Sequence, residues 1–126
     1  DFTWKILEYA VNEEMNNQLG NLIHRVFTLV NRYQDGKVTY SSPSTKAQKE
    51  LYEETIRTSD KVRELYYRTR FQRVLSEVMK IVKKANIIIN NEKPWELYRS
   101  NPHQLKSLLY VLVKTIRDIA IMLYPV

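Results

Sequence analysis

Apolar residues recur every three or four positions along most of the chain, and this pattern predicts long helices. The first such run begins after Thr3, which we take as an N-cap, and continues to Tyr33. Asp35-Gly36 follows, and a glycine in the left-handed conformation commonly ends a helix. About 30 residues at 1.5 Å per residue would span roughly 45 Å. A helix of that length is too long to stand alone, so we expect it to be one rod of a bundle.

A second helix is predicted after a loop over residues 37–43 and begins near Ser44. Its apolar stripe is weaker than that of the first helix and consists of Ala47, Leu51, Thr55, Val62 and Leu65/Tyr66. The triplet Thr58-Ser59-Asp60 offers another cap. We therefore expect that this helix can break at the triplet.

The third helix has the clearest pattern, from Phe71 to Ile89, and ends at Asn90-Asn91. Pro94 then opens a short turn of helix over 94–99, and Asn101-Pro102 starts a last helix whose apolar side follows from Leu105 to Leu123. No alternating strand pattern is present in the sequence. The chain is therefore predicted to be all-α, an antiparallel helix bundle that forms one domain over 1–126.

Composition excludes several classes of site and protein. The 126 residues contain no cysteine and two histidines, His24 and His103, so disulfide frameworks and thiolate metal sites are excluded and no metal site is expected. Only Gly20 and Gly36 are available for a phosphate-binding glycine loop, and no nucleophile motif occurs. We expect no catalytic residues and no cofactor in this chain.

The most apolar stretch does not predict a membrane span. It covers 105–123 and is interrupted by Lys114, Arg117 and Asp118, which indicates a buried helix. No signal peptide is visible, and the chain opens at Asp1 without a methionine. We expect a cytoplasmic protein, of which this chain is a fragment.

Positive charge is concentrated in one segment. The net charge is +6, and residues 57–84 hold nine basic and three acidic side chains, while residues 1–56 hold six basic and eight acidic ones. Such a segment suits contact with a polyanion, or is a solvated basic face. For the first case we expect phosphate contacts along the stripe Arg70, Arg73, Lys80 and Lys84.

Two groups of side chains suit the recognition of unpaired bases. Trp95 follows Pro94 at a corner between two helices, where an indole can project and stack on a base or else pack as an interfacial core residue. Asn21 and Arg25 stand four apart and so share one helix face, where an amide and a guanidinium could read base edges or form an ordinary polar face. Gly20, inside the same helix, would allow close approach of a neighbour.

Three stretches of the chain together carry a family resemblance. They are Leu19-Gly20-Asn21-Leu22-Ile23-His24-Arg25, then Tyr33-Gln34-Asp35-Gly36-Lys37-Val38, then Lys84-Ala85-Asn86 through Glu92-Lys93-Pro94-Trp95-Glu96-Leu97. In this order and spacing they resemble the anticodon-binding helical domain of methionyl-tRNA synthetases, with a more archaeal or eukaryal than bacterial character. The ends of the chain look like the flanks of that domain, and the resemblance is weakest between residues 40 and 70.

The resemblance implies a helix bundle of the class I aminoacyl-tRNA synthetase anticodon-binding type. It implies a larger parent enzyme, a methionine–tRNA ligase that uses ATP in a catalytic Rossmann domain whose signature motifs are absent here. The partners would be that catalytic domain in cis and methionine tRNA, whose CAU anticodon this domain would recognise. Trp95 would then stack on an anticodon base, with Pro94 shaping the corner, and Asn21 and Arg25 would hydrogen-bond anticodon bases.

Two departures and two alternatives accompany the resemblance. His24 stands where the family often has Asn, and Asn90-Asn91 replaces a usual Asp-Glu. The first alternative is the corresponding domain of a synthetase for leucine, isoleucine, valine or cysteine. The second is a helical protein-interaction bundle with no RNA role, in which Asn21, Arg25 and Trp95 would pack into the core or face a protein partner.

Overall fold

The computed structural model describes the backbone of residues 13–67 and 71–123 and the side chains of 17–63 and 73–123. That part of the chain contains five helices and no strand, so the predicted all-α class is confirmed. The helices are α1 (Glu13–Gln34), α2 (Lys46–Tyr67), α3 (Phe71–Glu92), α4 (Pro94–Ser100) and α5 (Pro102–Met122). The predicted N-cap at Thr3 lies outside the described residues.

The first helix ends where its sequence predicts. Asp35 and Gly36 both adopt positive φ, at 52° and 75°, which turns the backbone out of the helix. The Gly36 N–H donates to the Val30 carbonyl at 3.2 Å, and the Lys37 N–H donates to the Gln34 carbonyl at 3.0 Å. These bonds close the last turn of α1, and the second one gives a partner to the Gln34 carbonyl, which has none within the helix.

The second helix begins with a reciprocal cap. The Gln48 N–H donates to Thr45 Oγ1 at 3.1 Å, while Gln48 Oε1 accepts the backbone N–H of Ser44 at 2.9 Å. This arrangement is a variant of the capping box, in which the side chain three residues into the helix reaches back to the chain before it. It fixes the start of α2 at Lys46, close to the prediction.

The predicted break at Thr58-Ser59-Asp60 is wrong, because α2 continues without interruption to Tyr67. Thr55 is 1% and Thr58 7% exposed, so both lie on the buried side of the helix. The Thr55 hydroxyl donates to the Leu51 carbonyl of the preceding turn at 2.7 Å. Packing of this side against α3 and α5 outweighs the weak local preference of these residues for a cap.

The corner between α3 and α5 depends on Lys93. Its φ and ψ are 53° and 70°, in the left-handed region, and Pro94 then takes the first position of α4. The Lys93 N–H closes α3 on the Ile89 carbonyl at 3.1 Å, while its own carbonyl accepts the Glu96 and Leu97 N–H groups at 2.9 and 3.1 Å. Lys93 therefore ends α3 and precedes the first residue of α4. The start of α4 at Pro94 agrees with the prediction from the sequence.

Side-chain pairs between helices give the directions of the bundle. Lys61 bonds to Glu77 and Lys84 to Glu54, so residue numbers rise along α2 as they fall along α3 and the two helices are antiparallel. Helix α2 also packs extensively on α5, and α1 packs on both α3 and α5. Arg25 of α1 reaches the last turns of α3. The predicted antiparallel bundle thus has α4 at one end, between α3 and α5.

The core is formed by aliphatic side chains from all five helices. Among its fully buried members are Leu22, Val26, Leu51, Ile81, Ile89, Leu105, Leu108 and Leu112. In the part of the chain described, every buried side-chain nitrogen or oxygen has a hydrogen-bond partner. No helix of that part is long and apolar enough to cross a membrane.

Candidate nucleic-acid interface

Arg25 is held in place by two asparagines of α3. Its Nη1 donates to Asn86 Oδ1 at 3.2 Å and its Nη2 donates to Asn90 Oδ1 at 2.6 Å. Asn86 and Asn90 stand four apart and so share one face of α3. The Asn86 amide nitrogen in turn lies 3.5 Å from the Gln18 carbonyl of α1. The guanidinium is therefore oriented by a fixed pair of acceptors.

The acceptors that hold Arg25 are neutral. An amide oxygen orients a guanidinium without cancelling its charge, whereas a carboxylate would form an ion pair with it. Arg25 is half-buried and Asn90 is exposed. A guanidinium has five N–H donors, and these two bonds use only part of them. Its charge and its remaining donors are thus available to an anionic or polar ligand.

Asn21 lies one helical turn before Arg25 and is exposed. The neighbouring Gly20 is also exposed, and a Cβ added there would meet nothing among the described residues within 4 Å. Among the described residues, the predicted close approach of a neighbour at Gly20 is therefore not found. Asn21 and Arg25 share the face of α1 that their spacing predicts.

Trp95 projects from the corner. Its side chain is 51% exposed, while Pro94 beside it is buried. The interpretation of Trp95 as an interfacial core residue is wrong, because half of an indole surface remains in solvent. Pro94 has the predicted role of shaping the corner, since it occupies the first position of α4 behind the left-handed Lys93.

A polar cluster fixes the end of α3 just before this corner. The Glu92 carboxylate accepts hydrogen bonds from Gln48 Nε2 at 2.7 Å, Gln104 Nε2 at 3.2 Å and Thr45 Oγ1 at 2.6 Å. Gln48 is completely buried. These bonds connect the start of α2 and the start of α5 to the last residue of α3. The backbone that carries Trp95 is therefore anchored on both sides.

Helix α4 also contacts α1. The rings of Tyr33 and Tyr98 lie with centroids 4.9 Å apart and planes tilted by 34°. Arg25 lies two turns before Tyr33 on α1 and is bonded to α3. The C-terminal half of α1 is therefore flanked by the end of α3 and by α4. The structure gives no direct contact between Trp95 and either Asn21 or Arg25. It places them on neighbouring elements.

The predicted phosphate stripe is partly occupied by ion pairs. Lys84 is paired with Glu54, and Lys80 lies 3.4 Å from Glu77. Arg73 is exposed, and Arg70 lies outside the described residues. Lys84 therefore helps to join α2 to α3, whereas Lys80 is paired within α3, and contact of either lysine with phosphates stays a prediction.

Glu77 is the carboxylate at the centre of this seam. Its side chain is 12% exposed and lies 3.1 Å from Lys61 as well as 3.4 Å from Lys80. Burial acts to raise the pKa of Glu77, but the hydrogen bonds and charges of Lys61 and Lys80 outweigh it and hold the pKa below the ordinary value. Glu77 is consequently ionised at neutral pH.

The two histidines are both exposed and lie on different helices, His24 on α1 and His103 on α5. In the ranges 13–67 and 71–123, no three His, Cys, Asp or Glu side chains are grouped so that they could hold a metal ion.

Sequence reasoning missed the residues that support the predicted site. Asn86 lies among the apolar positions of the third helix, and a polar residue at such a position is a signal for a hydrogen bond across the helix packing. The Tyr33–Tyr98 contact and the Glu92 cluster join residues far apart in sequence. No local pattern could have paired them.

Comparison with known proteins finds relatives that all belong to one kind of enzyme. No model of a protein family matches the chain. A methionine–tRNA ligase of Sulfolobus acidocaldarius is 33% identical over 132 residues, which cover 100% of this chain and 22% of that protein. One of Metallosphaera sedula is 32% identical over 126 residues, 100% of this chain and 22% of that protein. One of Rickettsia prowazekii is 33% identical over 125 residues, 91% of this chain and 23% of that protein.

The chain thus spans about a fifth of the length of the curated relatives it matches. The relatives are both archaeal and bacterial, and their identities to this chain are too similar to separate the two groups. The predicted resemblance is confirmed, because the matches extend over nearly all of this sequence. The chain belongs, as one segment, to the methionyl-tRNA synthetase family.

Proposed function

We propose that this chain is the anticodon-binding domain of a cytoplasmic methionyl-tRNA synthetase and that it reads the CAU anticodon of methionine tRNA. The observation that carries the proposal is an exposed indole, fixed at a helix corner, on the element next to a guanidinium that is held by two neutral amides. Membership of the family supports the same function.

Stacking on Trp95 supplies the first part of the recognition. An unpaired base stacked on an aromatic side chain contributes roughly 1–3 kcal/mol. The indole needs no rearrangement to accept one, since half of its surface is already exposed and its backbone is anchored through Glu92. A base placed there is extruded from its own stack, as in most sequence-specific recognition of RNA loops.

Hydrogen bonding by Asn21 and Arg25 supplies the second part. Asn21 offers a donor and an acceptor from one planar amide, and Arg25 offers a directed fork of donors. Since both project from one face of α1, they can bond to the edges of the first anticodon base and its neighbour. Neutral acceptors behind Arg25 leave its positive charge to attract the loop backbone.

The parent enzyme would supply the chemistry. On this proposal a catalytic domain in cis joins methionine to its tRNA with ATP, and this domain contributes no catalytic residue and binds no cofactor. Its contribution is the choice of tRNA. The partners are therefore methionine tRNA and the catalytic domain of the same chain.

The test is binding of an RNA hairpin whose loop carries CAU, compared with the same hairpin with its first anticodon base changed. We expect the changed base to weaken binding at least tenfold, because a site that bonds to a base edge leaves polar groups unpaired with the wrong base. Trp95→Ala should weaken binding of the CAU hairpin by roughly 5- to 100-fold.

Phe27 provides a matched control. It is 52% exposed, as Trp95 is, but it lies two residues from Arg25 and so on another face of α1. Phe27→Ala should leave the affinity unchanged. Equal binding of both hairpins with a silent Trp95→Ala would contradict the proposal and favour a protein-interaction bundle. Preference for a leucine, isoleucine, valine or cysteine anticodon would assign the domain to another class I synthetase.

A further inference from the structure

Helix α4 exposes a second large ring besides Trp95. Tyr98 is 54% exposed and follows Trp95 by three positions, so their Cβ atoms are neighbours at roughly 5–6 Å on the helix surface. At about 100° per residue, the two side chains differ in direction by roughly 60°. The exposed side of α4 therefore presents two adjacent rings.

The ring of Tyr98 is held from α1. Tyr33 lies against it at 4.9 Å between centroids, and the Arg32 guanidinium lies 5.7 Å from the centre of the Tyr33 ring. Such a tilted pair restrains Tyr98 while most of its other surface stays in solvent. An exposed ring that is already oriented loses little conformational freedom when a flat ligand stacks on it.

The charges beside these rings favour an anionic partner. Arg99 is exposed. Viewed along the axis of α4, it projects about 40° from Trp95, on the other side of Trp95 from Tyr98. Glu96 is the exposed acid of this helix, and it is turned about 100° from Trp95 and 160° from Tyr98. Arg32 adds a cation against the ring of Tyr33, which itself lies against Tyr98. Two adjacent rings with arginines nearby match a nucleic-acid strand, in which bases alternate with phosphates.

We propose that Tyr98 is a second stacking position, which receives the nucleotide adjacent to the one on Trp95, with Arg99 beside the phosphate on the outer side of the Trp95 nucleotide. The ligand class is single-stranded RNA of a loop. This inference rests on the proposed function and extends it, because it assigns a separate nucleotide to a residue outside the Asn21, Arg25 and Trp95 set.

The experiment combines protein variants with RNA hairpins that lack one base at a time. Affinity of the CAU hairpin is measured for Trp95→Leu and Tyr98→Leu, each against hairpins in which a single loop nucleotide is abasic. We expect Tyr98→Leu to weaken binding of the intact hairpin roughly 5- to 30-fold. That loss should vanish for one abasic position, next to the position at which the Trp95→Leu loss vanishes.

Tyr98→Phe is the matched variant, since it keeps the ring and its contact with Tyr33. It should bind within about twofold of the unchanged chain. If Tyr98→Leu unfolds the chain, Tyr98→His keeps a flat ring of smaller stacking area and should show an intermediate loss at the same abasic position. Thermal unfolding of each variant measures the effect on the fold separately from binding.

The outcomes distinguish the two proposals. A Trp95→Leu loss that vanishes at no abasic position would contradict the proposed function itself. A Trp95→Leu loss that vanishes at one position, with Tyr98→Leu silent or insensitive to every abasic site, would overturn only the second stacking position. The same result follows if both losses vanish at one shared position, because Tyr98 would then support the base on Trp95 and have no nucleotide of its own.

Discussion

The chemical role of a residue in this chain depends on which groups its side chain meets. Arg25 is one of 20 basic residues, and Lys84 is another, yet their surroundings differ. Lys84 is paired with the carboxylate of Glu54, whereas Arg25 is held by the amide oxygens of Asn86 and Asn90. A cation held by amides keeps its charge for a ligand. Neutral acceptors are thus what makes Arg25 a candidate for binding RNA.

Replacing Asn90 by aspartate should reduce RNA binding without harming the fold. Asn90→Asp would put a carboxylate where the amide oxygen now lies 2.6 Å from the guanidinium and would form an exposed ion pair, which changes stability by no more than about 1 kcal/mol. We expect several-fold weaker binding of the CAU hairpin, measured at fixed salt, since the charge of Arg25 is then compensated.

Asn91→Asp is the control, because Asn91 is also exposed and the substitution adds the same charge one residue away from position 90. Equal losses for the two variants would mean that only net charge matters and that Arg25 is not singled out by its acceptors.

At the scale of the helix, the two glycines have opposite roles. Gly36 ends α1 with φ at 75°, and a Cβ there would lie 3.1 Å from Asn31 Oδ1. Gly20 lies inside α1 with no described atom within 4 Å of an added Cβ. Glycine loses more conformational entropy on folding than other residues. At a left-handed position this cost is offset because glycine adopts positive φ without strain, whereas at an interior helix position nothing offsets it.

Gly20→Ala and Gly36→Ala should therefore shift stability in opposite directions. We expect Gly20→Ala to raise the free energy of unfolding by about 0.5–1 kcal/mol and Gly36→Ala to lower it by about 1 kcal/mol or more. Urea unfolding followed by circular dichroism measures both. A destabilising Gly20→Ala would indicate a neighbour at that position, which would contradict its open surroundings in the structure.

Two ion pairs join α2 to α3, and each helix supplies one carboxylate and one lysine. Glu77 of α3 bonds to Lys61 of α2, and Glu54 of α2 bonds to Lys84 of α3. The lysine side chains are 50% exposed, so each pair contributes little by itself. Their net effect is to fix the relative position of two helices whose apolar sides already pack.

Glu77 should make stability depend on pH in the acid range. Because its pKa is lowered in the folded chain, its contribution is present above its unfolded pKa of about 4.3 and is lost as the pH falls through the folded value. The difference in unfolding free energy between the unchanged chain and Glu77→Gln should be at most about 1 kcal/mol at pH 7 and should shrink below about pH 4.

Glu50→Gln serves as the comparison, since Glu50 lies 3.9 Å from Lys46 with 57% of its side chain exposed. It should show little difference at either pH. A Glu77→Gln difference that grew on acidification would mean that the pKa of Glu77 is raised in the folded chain.

At the scale of the whole molecule, less positive charge is available to a ligand than the sequence indicates. Residues 57–84 carry a balance of +6, in which Glu77, the shared partner of Lys61 and Lys80, is already counted. Lys84 is also paired, with Glu54 from outside the segment. Arg73 remains exposed in the same segment. Phosphate contact by this segment should therefore depend more on its arginines than on its lysines.

Salt dependence of hairpin binding measures this difference. If Arg73 contacts a phosphate, Arg73→Gln should reduce the slope of log affinity against log salt by about 0.7, while Lys84→Gln should reduce it by less. Lys106→Gln, an exposed site on α5, should leave the slope unchanged. An unchanged slope for Arg73→Gln would remove this residue from the interface.

Read alone, the sequence predicts the helices, most of their ends and the first RNA-binding candidates, Asn21, Arg25 and Trp95. These features depend on local chemistry: the period of the apolar residues, Gly36 past the end of α1, Pro94 at the start of α4 and Asn101 as the N-cap of α5, which accepts the Gln104 N–H at 3.2 Å. The local cap signal at 58–60 failed because burial of Thr58 against neighbouring helices outweighed it.

The surroundings of each candidate residue follow from tertiary packing. The bonds of Arg25 reach 61 and 65 residues along the chain, and the Tyr33–Tyr98 contact joins two helices that no periodicity pairs. The half exposure of Trp95 likewise follows from how α4 rests on its neighbours. Packing of the aliphatic core sets these distances, because the core fixes the backbones while the side chains at its edge bond to whatever is brought within reach.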